Sequence, residues 1–178
     1  DCAVLVISGS DGVQAHTLTL WRLLERYQVP TFLFINKMDL ANAQRQGVLE
    51  QLQQQLDPGC VDFGQPMEQV AEAAAICEEE VLEHYLETGT VSREELGGLI
   101  AGRKLFPCCF GSGLKLEGVG ELLALLDTYA PRKDYPGEFA AKVYKISRDP
   151  QGNRLTWLKI TGGSLKVRSM LRYVNQKG

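Results

Sequence analysis

"TFLFINKMDL", Thr31 to Leu40, decides the fold. Thr31 to Ile35 is an apolar run of the kind that forms a strand buried on both faces, as in a parallel sheet. It stops at Asn36, Lys37 and Asp39, three polar residues in four positions. Upstream, "CAVLVIS" (Cys2 to Ser8) has the same character, with both faces expected to be covered. Between them "GSDG" turns the chain. Leu18, Trp21, Leu24 and Tyr27 then recur at helical spacing, with Leu20 and Leu23 widening the face. Pro30 closes the connection. Strand, helix, strand with a short crossover is a βαβ unit, and its sheet is parallel.

Further along, Ala41 to Leu56 reads as a helix with Val48, Leu49, Leu52 and Leu56 inward, broken by "DPGC" (Asp57 to Cys60). Pro66 opens a second helical stretch, about Met67 to Leu86, stopped by Gly89. Ser92 with Glu95 three residues on forms a capping box signature. "LFPCCF" is a third strand, "GSGLKLEG" a loop, and Val119 to Leu126 a helix. "APRKDYPG" is a linker. Beyond it the pattern changes: "FAAKVYKI" and "RLTWLKI" alternate around the turn "SRDPQGN", and "KVRSMLRYV" reads as a further strand. These are antiparallel signals, too few to close a barrel.

The 178 residues are 44% hydrophobic and 23% charged, ordinary for a globular chain. No run of 18 apolar residues occurs, so no membrane-spanning helix is expected. The sequence opens inside a strand-like run, without Met or a signal peptide, and the expectation is a cytoplasmic protein represented by a fragment. The five cysteines have no C-x-x-C spacing, and reduced, mostly buried thiols are expected. Residues 1–131 carry 8 Lys/Arg against 19 Asp/Glu, a net of −11; residues 132–178 carry 11 against 3, a net of +8. That split implies two domains, the basic one facing nucleic acid or merely solvent.

In open α/β sheets ligands bind beyond the carboxyl ends of the strands. Asn36 to Asp39 lies at one such end, and "GSGLK" (Gly111 to Lys115) at another. A guanine ring offers N1–H and N2–H₂ as two parallel donors, and one carboxylate, Asp39, accepts both. Adenine lacks the pair, and pairing of this kind discriminates by about 10⁴ or more. Lys37 can lay its stem across the base. Asn36 can tie neighbouring loops, Ser112 can brace the turn, and the amides of Gly113 and Leu114 can reach the base oxygen.

These residues carry a resemblance. N-K-x-D after an apolar strand resembles the guanine-specificity box of GTPases, and "GSGLK" resembles their last box, usually Ser-Ala-Leu or Ser-Ala-Lys. "VLVISGSDGVQAHTLTLWRLLERYQVPTFLFINKMDL" is similar to the matching stretch of translational GTPases of the elongation factor G type. The tail from Gly137 looks like the start of their second, β-barrel domain. Asp39 and Ser112 are 73 positions apart, shorter than in elongation factor G and more like the tetracycline-resistance ribosomal protection proteins.

The resemblance implies a P-loop GTPase-type sheet with helices on both faces. Residues 1–131 would form the second half of the GTP-binding domain, with a helical insert at about 57–104, and 132–178 the opening strands of the barrel. It implies GTP or GDP and Mg²⁺ as cofactors and the ribosome and its RNA as partners. Asn36, Lys37, Asp39, Ser112, Gly113 and Leu114 are the expected nucleotide-binding residues. Two departures stand out. Gly113 replaces the usual Ala, and neither G-x-x-x-x-G-K-[ST] nor D-x-P-G-H occurs, so phosphate, metal and catalytic parts are expected before Asp1. The parent is expected to hydrolyse GTP and this segment alone is not. A ribosome- or RNA-binding module without turnover, and an α/β domain for another ligand, are the alternatives. The turns Asp134 to Gly137 and Asp149 to Gly152 match D-x-x-G in the wrong context, and Asp62-Phe63-Gly64 is a kinase-like triplet without other kinase parts. His16 and His84 have no evident partners, and Trp21 and Trp157 read as core.

Overall fold

The computed structural model describes residues 1–131 and 134–170. The chain divides into two units, Asp1–Arg132 and Lys133–Gly178.

In the first unit a four-stranded parallel sheet has the order β1-β2-β4-β3, with β1 Ala3–Ser8, β2 Thr31–Asn36, β3 Cys60–Asp62 and β4 Phe106–Phe110. The register pairs Ala3 with Thr31 through Ser8 with Asn36, and Ile35 with Phe110. All strands run the same way, so Ser8, Asn36 and Phe110 end on one edge of the sheet. That edge is where the polar residues after each strand collect.

Helices cover both faces. Helices α1 (Ala15–Arg26) and α2 (Arg45–Gln55) pack Trp21, Val48 and Leu52 on Leu5, Ile7, Leu33, Ile35 and Phe106. The other face carries Phe32 and Val61 under α3 (Met67–Ala75), α4 (Glu79–Thr88) and α5 (Arg93–Ala101), with Leu122 and Leu126 of α6 (Val119–Tyr129) beside them. Burying each large side chain of this kind contributes about 1.5–3 kcal/mol. Helix α4 ends on Gly89 at φ 73°, and α5 starts with the reciprocal Ser92–Glu95 capping box.

Several expectations are corrected. Strand β1 is covered on one face only: Val4 and Val6 are 38% and 58% exposed. Tyr27 lies just past the last turn of α1 and is 70% exposed, so it does not share the inward face. The single helix expected over 67–86 is two helices. The chain turns at Ile76 to Glu78, where Glu78 is extended, and Val81 of α4 thereby joins the cluster of Val70 and Ala74. Strand β3 was not anticipated. His84 does have a partner: its Nδ1 lies 2.7 Å from Glu95 Oε1.

The second unit contains an antiparallel hairpin, β5 Ala140–Arg148 and β6 Arg154–Gly162. Asp149 caps its turn by accepting from Asn153 N at 2.8 Å, with Gly152 at φ 87°. Register shifts between Val143 and Lys145, so Lys145 faces Trp157 and Lys142 faces Lys159 on one side of the ribbon. Trp157 is 45% exposed and is not a core residue of the described structure. Of the strand expected at "KVRSMLRYV", Lys166 to Met170 is turn and irregular chain, and the remainder lies outside the described residues.

Candidate functional site

Two segments meet where β2 and β4 end. The first leaves β2 through Asn36 into Lys37, whose φ of 63° is left-handed. A side chain in that conformation costs about 1–2 kcal/mol. Asn36 Oδ1 accepts the Lys37 amide at 2.8 Å, which holds the turn. The same oxygen accepts the Gly113 amide at 2.8 Å. One side chain thus joins two loops 77 residues apart. Two backbone bonds run alongside: Gly111 N–H donates to Ile35 O (2.9 Å), and Met38 N–H to Gly111 O (3.0 Å).

The second segment is a backbone frame. Ser112 is buried at 1% exposure, donates its amide to Glu117 O (3.0 Å) and accepts the Glu117 amide (3.1 Å). A Cβ on Gly111 would lie 2.1 Å from Glu117 O, so only glycine fits the close approach. Gly118, at φ 73°, closes the frame.

Asp39 sits between the two. Its side chain is 17% exposed, and Lys115 Nζ approaches Oδ2 at 3.6 Å. A hydrogen bond from the Ser112 side chain, reinforced by the Asp39 backbone and by Lys115, holds its carboxyl below the usual carboxylate range. The group is therefore an ionised acceptor at neutral pH. The structure brings Asn36, Lys37, Asp39, Ser112 and Gly113 together, while Leu114 is 91% exposed at the tip of the second loop. The Gly113 amide is engaged by Asn36 Oδ1 in this structure. A Cβ at Gly113 would meet Asn36 Oδ1 at 3.4 Å, ordinary contact, so the alanine usual in related loops has room here. Lys115 was missed as a partner of Asp39. Its place directly after "GSGL" was the only signal, because the pairing spans the chain.

Residues 1–132 match the family described as the elongation factor Tu GTP binding domain. An oxytetracycline resistance protein of Streptomyces rimosus is 31% identical over 198 residues, covering 94% of this chain and 30% of the relative. The tetracycline resistance protein TetM of Streptomyces lividans is 30% identical over 204 residues, covering 99% of this chain and 32% of the relative. The chain spans about a third of the length of these relatives. A solved protein of Thermus thermophilus shares the fold at a TM-score of 0.78, with 24% identity, 93% of this chain covered and 32% of that one. With three-quarters of its length inside one family, the chain belongs to the elongation factor Tu GTP-binding domain family, among the translational GTPases.

Proposed function

We propose that residues 1–131 are the base-recognition half of a GTP-binding domain. Asp39 accepts guanine N1–H and N2–H₂, Lys37 covers the ring, the Leu114 amide approaches the base oxygen, and Asn36, Ser112 and Gly113 hold the two loops in register. One observation carries this reading: an ionised carboxylate fixed between two strand-end loops by Ser112 and Lys115. Such an acceptor matches guanine and leaves an adenine edge unpaired.

In the longer protein that the relatives' lengths suggest, GTP would hold switch segments that hydrolysis releases. Neither G-x-x-x-x-G-K-[ST] nor D-x-P-G-H occurs in this sequence, and the Mg²⁺ ligands are assigned to the longer protein on that ground. Turnover is likewise assigned to the longer protein, and the 178 residues alone are expected to release no phosphate from GTP. Residues 132–178 are read as the opening of a β-barrel domain. Lys142, Lys145, Trp157 and Lys159 share one side of its hairpin, a combination of cations and stacking surface suited to ribosomal RNA. By likeness to the tetracycline resistance proteins, the longer protein would act on the ribosome in the cytoplasm and protect it from the drug. The same hairpin favours a second reading, a ribosome- or RNA-binding module without turnover. GTP hydrolysis by the longer protein in the presence of ribosomes separates the two.

The base reading is tested by titrating the 178-residue chain with GMP and with AMP while following amide chemical shifts. GMP should move the signals of Asn36, Lys37, Asp39, Gly113 and Leu114, and AMP should leave them in place. Equal responses to both nucleotides would remove guanine as the ligand.

A further inference from the structure

The triplet Asp62-Phe63-Gly64, which stood out in the sequence without a role, ends β3 beside the base loops. Arg45, the first residue of α2, reaches it. Its Nε donates to Asp62 Oδ2 at 2.5 Å and its Nη2 to Oδ1 at 2.6 Å, a two-pronged pair. Asp62 is 3% exposed and also accepts the Gly64 amide at 2.9 Å. A Cβ on Gly64 would lie 2.1 Å from Arg45 Nη2, so the guanidinium occupies the space that a side chain there would take. The same guanidinium lies 4.8 Å from the centroid of the Phe110 ring. Phe110 ends β4 and immediately precedes Gly111.

These contacts join the outer ends of both base loops. Between Asp39 and Arg45 no side chain is buried, and Arg45, itself 44% exposed, is tied to another element by its pair with Asp62. On the other loop, the ring under Arg45 is the residue from which the Gly111–Ser112–Gly113 turn departs. We infer that Arg45 and Asp62 are a positioning pair for the candidate base site: they tie the edge strand of the helical insert to both loops and set the spacing of Asp39 from the 111–114 turn. The inference rests on the guanine reading above. The pair touches no base itself. It acts through Phe110 and through the start of α2.

The test compares GMP with IMP, which differ by the N2 amino group, on the 178-residue chain. Removing one partner alone would strand a buried charge. The first variant is therefore the double substitution Arg45→Met with Asp62→Asn, which leaves no charge unpaired and keeps an acceptor for Gly64. The second is Gly64→Ala, whose methyl group crowds the guanidinium and shifts the pair without removing either charge. In either variant that still unfolds cooperatively, GMP affinity should fall about tenfold, the size of effect expected when one good polar contact is lost. The preference for GMP over IMP should shrink toward unity. Arg45→Lys keeps the charge but not the planar fork, and should recover only part of the preference. A merely structural pair would lower the melting temperature and leave the GMP/IMP ratio untouched; an unchanged ratio in a folded variant overturns the inference. A wild-type chain that binds IMP as well as GMP overturns the guanine reading, and this inference with it. A preference present in the wild type and intact in the variants overturns this inference alone.

Discussion

Loop 36–40 is held largely by side chains and loop 111–118 largely by its own backbone. The first has a strained Lys37, an asparagine that bonds both its neighbour and the opposite loop, and an aspartate shared with Ser112 and Lys115. The second closes on itself through the paired Ser112 and Glu117 amides and carbonyls, with glycines where no Cβ fits. The difference teaches which loop is the template. The frame carries a closed set of backbone bonds of its own, whereas the side-chain loop takes more of its shape from contacts across to the frame.

Substitutions that break the frame should have the largest effect. Gly111→Ala drives a methyl group into the Glu117 carbonyl and should lower stability by about 3 kcal/mol or more, read from urea unfolding. A loss under about 1 kcal/mol would mean that the frame is not rigid. Acid should act next, on the side-chain loop and at two other carboxylates. The folded pKa of Asp39 lies below its unfolded value, so its contribution to stability is present above the ordinary carboxylate range and lost as pH falls through the folded value. Glu95, held low chiefly by Ser92, and Asp149, held low chiefly by Asn153, have the same sign. Melting temperature should hold between about pH 7 and pH 5 and drop below about pH 4. A rise on acidification would contradict the direction assigned to all three. Lys37→Gly should release strain and raise stability by up to about 1 kcal/mol while weakening GMP binding, because the stem that covers the ring is gone. A loss of stability there would show that the left-handed turn carries no strain. Gly113→Ala should be nearly silent, within about 0.5 kcal/mol, since the added methyl meets Asn36 at ordinary contact distance.

The same contrast explains what could be read from the sequence. Long apolar runs made β1, β2 and β4 legible, and the Ser92–Glu95 pair marked the start of α5, because these signals are local. Strand β3 has only three residues, all buried under the helices on its two faces, and no period exists in three positions. The break between α3 and α4 carries no Pro or Gly; it follows from Val81 having to reach the cluster around Val70, which is a tertiary demand. Trp157 looked like core because tryptophan usually is, yet the hairpin leaves it half in solvent. At the candidate site, Asn36 and Asp39 were legible as polar residues ending a buried strand. That Asn36 could tie the neighbouring loop was legible too, but its partner atom on Gly113 and the links of Asp39 to Ser112 and Lys115 were not, since those partners lie more than 70 residues along the chain.

Asp39→Asn offers the most direct test. The amide can donate to the second carbonyl of xanthine and can no longer accept both guanine hydrogens. Titrated with GMP and XMP, the variant should lose affinity for GMP, gain affinity for XMP and leave the shifts of the β5–β6 hairpin unmoved. If the variant keeps the wild-type preference for GMP, the carboxylate does not read the base, and the assignment of the two loops falls.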